Sequence, residues 1–137
     1  MPDITITPTS VLRVSGPEGN GVAGEAITQG DVIYEDSSDS NKIKLTDADA
    51  SEATANAKGI ALNAAGTGQP ITYAKDGAEV NVGGTVAVGT PYVVSGNAGK
   101  IAPASDLASS DYTTILGVGK TAANIVLNLQ VSGVQVP

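Results

Sequence analysis

The chain is predicted to be an all-β protein. The expected architecture is a sandwich or barrel-like domain of two duplicated strand-rich half-units, with one short Ala-rich helix at about 46–57 and an extended N-terminal arm. Three observations carry this. The landmarks Gly30-Asp-Val-Ile-Tyr34, Lys42-Ile43 and Lys58-Gly59-Ile60-Ala61 return as Gly89-Thr-Pro-Tyr-Val-Val94, Lys100-Ile101 and Leu116-Gly117-Val118-Gly119, at offsets of 59, 58 and 58 residues. Short runs of β-branched and aromatic residues recur between turns rich in Gly, Asp and Ser, as in sandwiches and barrels. The large apolar residues are almost all Val, Ile and Leu, with four Tyr and no Phe or Trp. A core of that kind is thin per residue, so a partner surface is expected to support it.

The length of 137 residues is that of one domain, large enough to bury a core without staples. No cysteine is present, so disulfides and thiolate metal sites are excluded and the redox compartment is not encoded. The formal net charge is −7, from 14 acidic and seven scattered basic side chains. Such a surface repels phosphate, which argues against nucleic acid as a partner. No apolar stretch reaches membrane-spanning length, and the N-terminus lacks a basic region followed by an apolar run, so neither a membrane nor a signal peptide is expected.

Residues 1–21 read as an arm outside the duplication, ahead of a single β domain at 22–137. Ile4-Thr5-Ile6-Thr7 alternates until Pro8, Val11-Leu12-Arg13-Val14 follows, and 15–21 is a Gly/Pro loop. Such an arm is either an edge strand of its own domain or a strap on a neighbouring subunit. The first half-unit spans about 23–82. Asp31–Glu35 and Lys42–Leu45 form a hairpin across the polar turn at 36–41. Thr46 then caps a helix whose first turn carries Asp47 and Asp49, whose body is rich in Ala, and whose stop is Gly59. Strands at 59–62 and 69–74 come next, and Asp76-Gly77 signals a tight hairpin that pairs Glu79–Val82 back. The second half-unit, about 83–137, repeats the order with strands at 85–88, 91–94, 99–102, 113–119 and 124–131. A shorter element at 103–111 replaces the helix, and 134–137 alternates to the end.

Few residues here carry chemistry. With no His and no Cys, a Ser-His or Cys-His nucleophile is impossible and zinc would have carboxylates alone. A pair of carboxylates is compatible with glycoside hydrolysis by residue type, but aromatic sugar platforms are missing. No acid–base constellation can be assembled, so the chain is not expected to be an enzyme. The turn Asp36-Ser-Ser-Asp39-Ser-Asn41 resembles part of a calcium loop but lacks its central glycine and distal glutamate, so it reads as a solvated turn. Gly66-Thr-Gly68 and Gly117-Val-Gly119 neither open a helix nor end in Gly-Lys-Ser/Thr, and read as glycines of turns and close packing. Neither cofactor nor metal is expected. Tyr34 and Tyr92 fall in the same strand of the two copies and are expected to pack equivalently.

The segments Gly24–Tyr34, Lys42–Asp49, Lys58–Ala65, Gly68–Thr72, Thr85–Val94, Gly99–Pro103, Thr114–Gly119 and Leu127–Gly133 together resemble the capsid cement, or head decoration, proteins of tailed bacteriophages. The resemblance covers roughly residues 24–133 and rests on structural motifs. It implies a protein of the virion, on the outer surface of the capsid, that binds the major capsid protein and stabilises the assembled lattice as a homotrimer or in clusters. A ligand of the assembled lattice alone stabilises it by mass action. Extended arms and sheet edges suit that role, since strand addition gives directional hydrogen bonds. The arm is the expected capsid or subunit interface, with Ile4, Ile6, Val11 and Leu12 as apolar anchors and Arg13 as a charge partner. The competing expectation is a phage fibre, tail or adhesin-type module that binds glycans.

Overall fold

A computed structural model describes residues 3–137. Among them, eleven strands make two antiparallel sheets that pack against each other as a sandwich. They are β1 (Val11–Ser15), β2 (Glu18–Val22), β3 (Val32–Asp36), β4 (Lys42–Leu45), β5 (Gly59–Ala61), β6 (Pro70–Lys75), β7 (Glu79–Val82), β8 (Pro91–Val94), β9 (Ile101–Pro103), β10 (Tyr112–Gly119) and β11 (Asn124–Gln135). One sheet has the order β2-β6-β5-β3-β4 and the other β1-β7-β11-β10-β8-β9.

The duplication is written into the pairing. Without β1 the two sheets have the same order, with β7, β8, β9, β10 and β11 standing where β2, β3, β4, β5 and β6 stand. Registers agree residue by residue: Ile33 lies opposite Gly59 and Tyr92 opposite Gly117, while Ile33 faces Leu45 and Tyr92 faces Pro103 across the next ladder. The repeat boundary differs from the expected one. Residues 18–21, read as arm, lie in β2, the first strand of the first unit, and β7, read as the last strand of the first unit, opens the second. The turn at Asp76-Gly77 accordingly makes no hairpin. Both edges of β6 are taken, by β2 and β5, so β7 has no place beside it. The Gly77 N–H donates to the Leu127 carbonyl at 2.9 Å, and the chain crosses to the other sheet. Gly16, between β1 and β2, makes the same crossing with φ of +95°.

A second correction concerns the helix expected at 46–57. The segment forms turns and a single 3-10 turn at Ala53–Ala55. Its backbone bonds are spent elsewhere: Thr46 N–H on the Val32 carbonyl, Ala48 N–H on Ser95, Asp47 N–H on Thr54, with the Ala48 carbonyl accepting from Tyr112. An isolated twelve-residue helix is marginal in water, and its shallow alanine face gives tertiary packing little to hold. Burying Ala48, Ala55 and Ala57 singly against the sheets wins. Residues 85–88, expected as a strand, are irregular: Val86 is buried and bonds to the Ala122 carbonyl, while Val88 is exposed. Tyr34 and Tyr92 are also not equivalent. Register matches Tyr92 to Ile33 and Tyr34 to Val93, so the two rings lie on opposite faces of equivalent strands.

Two clusters form the core. The larger lies between the sheets and contains Val32, Ile60 and Ala74 from one and Val80, Val82, Tyr92, Ile101, Leu116, Ile125 and Leu127 from the other. The smaller lies on the far side of the first unit, where Ile33, Ile43, Ala61, Ile71 and Tyr73 are roofed by Ala23, Ile27 and Ala65. The first unit is therefore covered on both faces. The second is not. Ile60 is fully buried, whereas its register counterpart Val118 is 44% exposed.

Candidate functional site

That asymmetry defines the candidate site, the uncovered outer face of the sheet β1-β7-β11-β10-β8-β9. Strand alternation sends Val80, Val82, Ile125 and Leu127 inward, so Glu79, Asn81, Asn124 and Val126 point outward. Pairing of β7 with β11 sets Asn81 opposite Asn124 and Glu79 opposite Val126, and Val118 of β10 follows beside Val126. Leu12 sits opposite Asn81 at the sheet's edge and is 62% exposed. At the centre, Lys120 Nζ lies 2.7 Å from one Glu79 oxygen, and Asn124 Nδ2 donates to the other at 2.8 Å. Lys120 and Asn124 together hold the Glu79 carboxyl below the usual range. The face is thus mixed: two exposed apolar side chains around a locally neutralised carboxylate.

The five residues expected at an interface divide sharply. Val11 is buried in the shared core, and Ile4 and Ile6 pack against the same cluster. The Ile4 N–H donates to the Ile101 carbonyl at 3.0 Å and Thr7 N–H to Gly83 at 2.7 Å. The Asp3 carboxylate accepts from Ser95 Oγ at 2.6 Å and Asn97 Nδ2 at 2.9 Å. The described part of the arm therefore lies on its own domain, one of the two arrangements anticipated. Arg13 Nε is 3.0 Å from Glu18, and its Nη1 donates to the Gly16 carbonyl, which ties together the corner where the chain changes sheets. Leu12 alone among the five presents an apolar side chain outward. Val118, on the same face, was not anticipated. A period-two reading of β10 sets Val118 on the face of the buried Leu116, and only the register shift between Ile115 and Gly117 turns it outward.

The carboxylates have local tasks. In the polar turn, Lys44 Nζ lies 2.8 Å from Asp36 and 3.0 Å from Asp39, where a metal ion would have to sit. Asp36 also accepts from Ser38 N–H and Oγ, capping the short turn at Ser37–Asp39. These donors, Lys44 first, lower the Asp36 carboxyl to about 2. Its folded-state pKa lies below the ordinary 3.8, so its contribution to stability is complete above pH 3.8 and lost as pH falls through about 2. Asp36→Asn is expected to flatten the acid side of the stability profile in that window and to leave the neutral side unchanged. Urea midpoints at successive pH values measure this, and parallel profiles for the two proteins would refute it.

Asp3, Asp49, Asp106 and Asp111 line a cleft of about 240 Å³ with Ser95 and Asn97. The Asp111 carboxylate caps the Ala108 N–H at 2.9 Å, and Asp31 does the same for Thr28 at 2.8 Å. Burial raises the Asp47 carboxyl, and the neighbouring Asp49 adds to the rise. Among the described residues, no three acidic side chains are placed to hold a metal ion.

No protein-family model matches this chain, and no curated protein matches it. The functional reading accordingly rests on the residues and on this geometry.

Proposed function

We propose that the protein is a structural decoration, or cement, protein. It binds the outer surface of a phage head and stabilises the assembled lattice of the major capsid protein. The observation that carries the reading is the open sheet face with Leu12 at its edge. It is an uncovered surface on a sandwich whose other outer face is roofed by its own chain. Support also comes from the sequence resemblance, from the acidic surface, which suits an exterior away from DNA, and from the thin aliphatic core. Clustering of copies on the shell, as trimers or otherwise, belongs to the same proposal. Three of the four tyrosines are buried and so are not offered to a sugar, which weighs against a glycan-binding module.

Quantitative mass spectrometry of purified virions tests this. Hundreds of copies, near one per major capsid subunit, are expected, and a handful would assign the protein to the tail or fibre instead. A second arm uses Leu12→Glu, which leaves the core untouched and is expected to weaken head binding at least about tenfold, equivalent to about 1.4 kcal/mol. Deleting residues 2–14 is the poorer experiment, because it removes most of β1 and the buried Val11 and so destabilises the domain itself.

A further inference from the structure

β11 outruns its neighbour. Its last partner on β7 is opposite Val126, yet the strand continues to Gln135. The Leu127 N–H still reaches the Ala78 carbonyl, and the Leu129 N–H is taken by the Asp76 carboxylate at 2.8 Å. Past Leu129, among the described residues, the hydrogen bonds of β11 run to β10 and the turn before it, or within the strand. The Leu129 N–H faces away from β10, and Leu129 and Val131 line the same groove on either side of Gln130, so beyond the register shift the outward-facing backbone groups are those of Val131. Natural sheets protect such an edge with Lys, Pro or inward charges. Here residues 121–136 carry neither a charge nor a proline. The ladder to β10 shifts register by one residue between Leu127 and Gln130 and again near Gly133, where φ is +67° and the pairing loosens, leaving 128–132 as the open edge.

We infer that this edge pairs, antiparallel and about a two-fold axis, with the same edge of a second copy of the chain. The sequence Asn128-Leu129-Gln130-Val131-Ser132 is chemically palindromic about Gln130. A two-fold there sets Leu129 against Val131 of the other copy, Asn128 against Ser132, and Gln130 against itself. The apolar pairs then share one face and the polar pairs the other. Leu129 and Val131 both line a groove of about 450 Å³ bordered by Glu35, Lys58, Lys75 and Asp76. None of those four charges forms an ion pair among the described residues. They cancel, which leaves the whole formal charge of −7 on the rest of the molecule. This is therefore a face on which two such acidic chains meet with little repulsion, and each copy's lysines find the other's carboxylates. Asp76 must release the Leu129 N–H as the strands join. A strand pair of this length buries less than the ~1,000 Å² of a stable interface, so the dimer is weak, micromolar or looser. The contact is independent of any capsid.

The absence of cysteine allows a direct test. The two-fold brings Gln130 opposite its own copy in a non-hydrogen-bonded pair, where the Cα atoms approach to about 4.5 Å, within disulfide reach. Gln130→Cys is expected to give a disulfide-linked dimer on mild oxidation, and Asn128→Cys, displaced along the strand from its own copy, is expected not to. Sedimentation velocity on the full chain should show a concentration-dependent dimer. Val131→Lys should weaken it at least about tenfold. Leu12→Lys, at the other exposed edge, should leave it unchanged, with thermal midpoints confirming that both variants fold. A monomer at every concentration, equal cross-linking by both cysteine variants, or a dimer indifferent to Val131→Lys would each overturn the inference.

Discussion

Gly59→Ala is expected to destabilise the protein by about 3 kcal/mol or more, and Gly117→Ala by a similar amount. A Cβ on Gly59 would stand 1.9 Å from the Ala74 carbonyl oxygen, and one on Gly117 2.0 Å from that of Val126. Neither obstacle is a flexible side-chain end. Each is backbone in the adjacent strand of the same ladder, β6 beside β5 and β11 beside β10, so relief requires the strands to separate. The two clashes are one clash, because Ala74 and Val126 occupy equivalent positions of the repeat. Gly66 is the control: a methyl there meets the Gln69 side chain at 3.4 Å, an ordinary contact. Denaturant midpoints should fall steeply and alike for Gly59→Ala and Gly117→Ala and barely move for Gly66→Ala. A neutral Gly117→Ala beside a damaging Gly59→Ala would show that the two units do not share this constraint.

Leu116→Ala carries the other large effect, a loss of about 3 kcal/mol. Leu116 is fully buried in the cluster between the sheets, where the other large groups among the described residues are branched aliphatics and Tyr92. With no Phe or Trp to slide into the space, the cavity stays largely open, and the cavity cost adds to the lost transfer energy. Leu12→Ala, removing the same atoms from a 62% exposed site, is expected to change stability by less than about 0.5 kcal/mol. Equal midpoints for the two alanine variants would contradict the placement of the core between the sheets. A drop in the Leu116 variant with unchanged denaturant slope would support it, since the slope reports the surface exposed on unfolding.

Much of the architecture was legible locally. Glycine landmarks at one offset reveal a repeat because each repeated glycine answers a repeated backbone constraint, as Gly59 and Gly117 do. Period two in Lys42–Leu45 and Glu79–Val82 marks strands because alternate side chains face opposite ways whatever the sheet. The candidate site was half legible. Leu12 was named as an anchor and is exposed on the open face, but Ile4, Ile6 and Val11 carry the same apolar signal and spend it inside the domain. Apolarity in sequence does not distinguish a core contact from an offered one.

The chain's own residues determined that it is an all-β, duplicated, acidic domain lacking the residue types of Ser-His or Cys-His catalysis. They determined its strands nearly one by one, since composition and period act over a few residues. Tertiary structure alone decided which sheet each strand joins, where the repeat begins, and that the alanine-rich segment would not be helical. The reason is the same in each case. A strand has two edges and a peptide has one donor and one carbonyl, and partners far along the chain had already taken them: β2 and β5 beside β6, and Val32, Ser95 and Tyr112 around residues 46–48.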